Sequence, residues 1–258
     1  MKIQNLIILF LLSVGASYGQ NNSGIITYED KFNVHKSLPE EMADFKDRIP
    51  EFRATKKVLV FSGQEGFYST KKKEAGEISE ETNREFRGEG HGMRMRFGGR
   101  GGNNNNEFYT NIKESTSIDK RDFFGKEFLI EGERVPLKWK ITADQKQVGS
   151  YLCQKAVYQD STQNLVAWFT PMIPVSTGPD DYFGLPGLIL HIDIDDGSRT
   201  ITATEIQLQA LEEGVIVKPT KGKKVTQDEF DKIREEKMEE MKQENGGRQG
   251  RYMITRGR

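Results

Sequence analysis

The chain carries one cysteine, Cys153, in 258 residues, so no internal disulfide can form. A lone thiol is either a small buried hydrophobe or a reactive nucleophile. Nothing in the sequence pairs Cys153 with a catalytic base, and burial is expected. Histidine is scarce at 3 residues, and no Cys/His spacing suits zinc. No phosphate-binding glycine loop and no Gly-x-Ser-x-Gly elbow is present. An excess of one charge is also missing: 38 Lys+Arg stand against 39 Asp+Glu, a net charge of -1. That balance gives no global argument for a nucleic-acid partner. After the N-terminus no run is apolar enough to span a bilayer.

What is present begins with Lys2, followed by the apolar run Ile3–Val14 and the small residues of Ser17-Tyr18-Gly19. This is the pattern of a cleaved export signal, residues 1–19, with Gln20 as the first mature residue. No cysteine follows the run, which excludes a lipoprotein anchor. The expected product is exported, and periplasmic, outer-membrane-associated or secreted.

Between the signal and residue 218 the pattern is one of short strands with turn residues between them. Ile25–Tyr28 with Phe32 and Val34 reads as a first strand, and Ser37–Arg48 as a short inserted helix ended by Pro50. Lys56–Phe61 and Gly66–Tyr68 read as a hairpin. Residues 71–106, rich in Gly, Arg and Asn, predict a flexible loop; its Met93–Gly102 stretch offers an arginine-rich arm for an anionic surface. Strands follow at Ser115–Asp119, Lys126–Ile130 and Leu137–Thr142, with one long strand over Val148–Tyr158 facing Leu165–Phe169. An Asp196-Gly197 turn sets a hairpin register of Ile192 with Ile201, Asp193 with Thr200, His191 with Thr202 and Leu190 with Ala203. Val215–Pro219 is a further strand candidate and Lys221–Lys224 a basic turn. Residues 219–258 hold a helix, Gln227–Glu244, opened by a Thr226/Glu229 capping box, and a disordered Arg/Gly tail. The fold class is therefore mainly β: a curved antiparallel meander, half-barrel-like, with a short inserted helix and a C-terminal helix.

Site candidates are few. Trp168, Phe169, Tyr182 and Phe183 flank a Pro/Gly passage and offer a hydrophobic groove for a lipid or a peptide. His191, Asp193 and Asp195 share a strand face, but residues two apart lie roughly 7 Å from one another, too far to hold one metal ion unaided. Asp180-Asp181 reads as a turn rather than as paired catalytic carboxylates.

Trp168-Phe169-Thr170-Pro171-Met172-Ile173-Pro174 and the hexapeptide Gly184-Leu185-Pro186-Gly187-Leu188-Ile189 closely resemble the GLPGLI family. Trp139–Thr142, Gly149–Ala156 and Ser176–Pro179 extend the likeness, which covers about Gly24 to Leu208. The resemblance implies an exported envelope protein of unknown function, with no catalytic residues, metal or cofactor to carry over. Its strand order is similar to the half-barrels of periplasmic lipoprotein carriers, a likeness of fold alone. The leading expectation is a non-enzymatic protein that binds an apolar ligand or an outer-membrane partner through its curved sheet. The alternatives are an adaptor of an outer-membrane machine and, last, a metal-dependent hydrolase built on His191 and Asp193. The hexapeptide itself reads as a structural corner that launches a core strand.

Overall fold

A computed structural model describes residues 22–38, 40, 46–71 and 106–254, with side chains through 241 and at 243. The signal segment and most of the arginine-rich loop, His91 included, lie outside the described residues. So does most of the expected 37–48 helix, whose described parts are 3-10 turns.

The strands are β1 (Gly24–Asn33), β2 (Phe52–Phe61), β3 (Glu65–Thr70), β4 (Glu107–Asn111), β5 (Thr116–Phe123) and β6 (Lys126–Glu133). They continue with β7 (Lys140–Val148), β8 (Tyr151–Gln159), β9 (Asn164–Thr170), β10 (Leu188–Ile194), β11 (Arg199–Leu208) and β12 (Lys223–Val225), followed by the helix α1 (Gln227–Ile254). All twelve form one curved, mostly antiparallel sheet that does not close into a barrel. Its order is β12-β6-β5-β4-β3-β2-β1-β11-β10-β9-β8-β7. Two meanders thus meet along β1, which pairs with β2 on one side and with β11 on the other. The exception to antiparallel pairing is β12 against β6.

The β10–β11 hairpin has the expected register, His191 with Thr202, Ile192 with Ile201 and Asp193 with Thr200. Its Asp196 and Gly197 take φ of 51° and 83°, the left-handed conformation that aspartate and glycine tolerate best. The Leu190–Ala203 pair does not form, because the ladder to β9 slips between Ile189 and His191. The expected single strand over Val148–Tyr158 is two strands: Gly149, at φ 59°, turns β7 back onto β8. The Gly149-Ser150 pair is itself a turn signal, flanked by Val148 and Tyr151, which both suit a strand. Lys221–Lys224 is not a plain turn; Lys223 and Lys224 open β12. Residues 215–219 form no strand, and Ile216 instead packs against Tyr109, Ile118 and Leu129.

The core lies between the inner face of the sheet and residues 171–187, which fold over it. Ile26, Tyr28, Leu59, Phe61, Phe169 and Ile201 from the strands meet Ile173, Val175 and Leu185 from this segment. At the far wing Phe230 of α1 stacks edge-on against Phe123 and Phe128. The Thr226/Glu229 capping box is present, with Thr226 N donating to Glu229 at 2.8 Å and Glu229 N to the Thr226 hydroxyl at 3.2 Å. The helical backbone continues past Glu244 to Ile254. Among the described residues no helix is long and apolar enough to cross a membrane.

Candidate functional site

The segment that covers the inner face is held by its own backbone. Leu188 N donates to Ile173 O at 3.0 Å and Ile189 N to Thr177 O at 3.1 Å. Bonds two residues apart (Val175 to Ile173, Thr177 to Val175, Gly187 to Leu185, each 2.8 Å) make successive γ-turns. This accounts for a loop that is apolar: its polar groups are satisfied inside the protein. Gly184 takes φ 93°, and a Cβ there would lie 2.7 Å from Pro136 Cβ. At Gly187 a Cβ would lie 2.2 Å from the carbonyl oxygen of Thr170. The hexapeptide is therefore a corner packed too tightly for side chains at its glycines.

Beside this apolar seal the same segment presents Asp180 and Asp181 to a row of charged groups on the inner face. Asp180 has φ 51°, a conformation aspartate tolerates. Arg199 of β11 grips Asp30 of β1 with both arms, at 2.7 and 2.6 Å, and reaches Asp180 at 2.6 Å. Lys57 of β2 lies 3.0 Å from Asp30 and 3.5 Å from Asp180. Burial raises the Asp30 carboxyl, but the Arg199 guanidinium and Lys57 outweigh it and hold that carboxyl below the usual range. Tyr68 of β3 lies beneath Lys57, whose ammonium is 5.2 Å from the ring centroid. Farther along, Arg121 and Asp119 of β5 pair at 2.6 Å. Burial keeps the Asp119 carboxyl above the usual range in spite of Arg121.

Arg134, just after β6, closes this row. Its guanidinium carbon lies 3.7 Å from the Phe183 ring centroid, and the residue is 6% exposed. Burial pulls the group down to about 10, partly opposed by the charge of Asp181, so it stays cationic at neutral pH. Trp139 fixes Phe183 from the other side by donating its indole N–H to the Phe183 carbonyl at 2.7 Å. The result is a row of paired charges covered by residues 178–184 as a roof, with the Phe183 ring stacked on Arg134 at its end.

The four aromatics read from the sequence do not converge. Phe169 is a core residue at 1% exposure, while its neighbour Trp168 points to the opposite face, under Lys146 at 4.4 Å. Tyr182 and Phe183 are half-buried on the roof. His191 Nδ1 hydrogen-bonds the Thr202 hydroxyl at 2.8 Å, and Asp193 accepts from Gly197 N at 2.6 Å. Burial lowers His191 to about 4, with a further push from Lys146. Cys153 is fully buried, and burial pushes its thiol up to about 11, the setting of an inert cysteine. Among the described residues no group of three or more His, Cys, Asp or Glu could hold a metal ion.

Residues 158–191, from the end of β8 to β10 and including the whole roof, match the model of a family described as a protein of unknown function (Porph_ging). No curated protein matches the chain. Two solved structures of PNGF-II, in space groups P21 and C2, are similar in fold, each with a TM-score of 0.53. Their identities are 13% and 12%, and each alignment covers 82% of this chain. The matched region is 33% and 32% of those chains, so this protein spans about a third of their length.

Proposed function

We propose that the chain is an exported, non-enzymatic envelope protein of GLPGLI type that takes a ligand at the charged row beside the roof at 178–184. The observation that carries this reading is the placement of buried polar groups. The apolar part of the inner face is covered by the chain's own Ile173, Val175 and Leu185. The groups left to meet a ligand are those of the charged row and its aromatic platform. Most of the row is paired internally, but the Tyr68 hydroxyl and Arg134 Nε are buried without a partner, and unpartnered buried polar groups favour a ligand here. The Lys2–Gly19 pattern supports export, and the family match at the roof is consistent with the GLPGLI type.

Native mass spectrometry of the protein isolated from its own envelope, with analysis of bound lipids and proteins, tests this. A discrete added mass that is lost in Phe183→Ala is the expected result. Recovery of an outer-membrane protein instead, unaffected by that substitution, would favour the adaptor alternative. A bare polypeptide mass would overturn the proposal.

A further inference from the structure

Among the described residues, two buried side-chain polar atoms lack any hydrogen-bond partner, the Tyr68 hydroxyl and Arg134 Nε. Both belong to the charged row described above. Arg134 is the more telling of the two. The other arginines of the row hold carboxylates: Arg199 grips Asp30, and Arg121 grips Asp119. Asp181 acts on Arg134 through space, and no ion pair forms between them.

A guanidinium presents its donors around the edge of a plane, while its faces stack on aromatics. Phe183 lies against Arg134, and Nε on the donor edge is buried without a partner. That edge is a fork matched to two oxygens of a carboxylate or phosphate. A buried charged group whose Nε has no acceptor calls for one that carries negative charge.

We propose that Arg134 anchors a binding site for a small oxyanion, a carboxylate or phosphate group, held edge-on by the guanidinium above the Phe183 ring. This rests on reading the charged row as the binding face. At 6% exposure, Arg134 is out of reach of a membrane surface, so the ligand is a soluble anion and not a headgroup in a bilayer. Trp139 positions the platform through its bond to the Phe183 carbonyl.

The test is isothermal titration of the full chain, exchanged into chloride buffer near neutral pH, with inorganic phosphate and with acetate at matched ionic strength. Saturable binding of at least one of the two is expected. It should weaken about tenfold or more in Arg134→Gln, the loss of one charged hydrogen-bonding group. Arg134→Lys keeps the charge but not the fork and should fall between. Lys224→Gln, at an exposed lysine on β12, should bind as the wild type does. If Arg134→Gln does not fold, Phe183→Leu provides the same readout by removing the platform.

Absence of saturable binding in the wild type, or equal weakening in Lys224→Gln, would overturn the assignment. Binding only to phosphatidylglycerol vesicles would also overturn it. If neither anion binds while the envelope-derived protein carries a neutral molecule, the oxyanion falls and the charged row remains the binding face.

Discussion

Tyr28, fully buried on β1, donates its hydroxyl to the carbonyl of Ile189 at 2.7 Å. Ile189 is the last residue of the hexapeptide, and the ladder to β9 slips directly after it. The tyrosine therefore caps an acceptor at a break in the sheet and ties the roof to the central strand. Tyr28→Phe leaves that carbonyl buried without this donor. A loss of about 1–3 kcal/mol in urea unfolding is expected. A change within error would mean that another donor already serves the carbonyl.

Tyr68→Phe makes the opposite prediction from the same substitution. Its hydroxyl is buried without a partner, so removing it relieves a desolvation cost. Stability in the absence of ligand should stay level or rise by about 1 kcal/mol. A loss as large as that of Tyr28→Phe would show that the hydroxyl has a partner in solution.

Asp30→Asn should cost about 2 kcal/mol near neutral pH, less than a fully buried pair because Arg199 retains Asp180 and is 28% exposed. The folded-state carboxyl is held below its usual range. Its contribution is therefore complete above the unfolded value, about 3.9, and fades as pH falls through the lower folded value. The gap between wild type and variant should shrink on acidification below about pH 4. A constant gap would point to packing rather than charge.

His191→Gln tests the outer face. Burial lowers this histidine from 6.5 to about 4, so between those values the unfolded chain binds a proton that the folded protein refuses. Wild-type stability should decline as pH drops through that window, and the variant should lose that part of the decline. Identical pH profiles would show that His191 titrates normally.

Gly187→Val would place a side chain against the backbone of Thr170. A loss on the order of 3 kcal/mol or more is expected, with the melting temperature falling before any contact is lost selectively. An unchanged melting temperature with abolished ligand binding would make the hexapeptide a contact surface rather than a corner.

Much of the fold was legible because strands announce themselves by alternation and turns by their residues. Ile192 and Ile201 found each other through the Asp196-Gly197 turn alone. The hairpin at Gly149 escaped although Gly149-Ser150 is a turn pair, because Val148 and Tyr151 on either side both suit one continuous strand. The charged row was harder to see, since Arg199 and Asp30 lie 169 residues apart and meet only through β1–β11 pairing. One signal was available. Asp30 falls on the same parity as Ile26 and Tyr28, and Lys57 on that of Leu59 and Phe61, so each puts a charge on an otherwise apolar face. Arg134 gave no such sign, because it lies beyond the end of β6 and its burial depends on a loop folding over it.

The position of β1 in the middle of the sheet has a bearing on how the protein assembles. Strand β1 gains one neighbour, β2, early, but its other neighbour, β11, comes only after β10, with Gly24 opposite Leu208. A polypeptide that emerges N-terminus first holds its left wing with a raw edge until the right wing arrives. Joining the two is a long-range closure and belongs among the slow steps of folding. The sheet stays open along one side of β1 until β11 has been made.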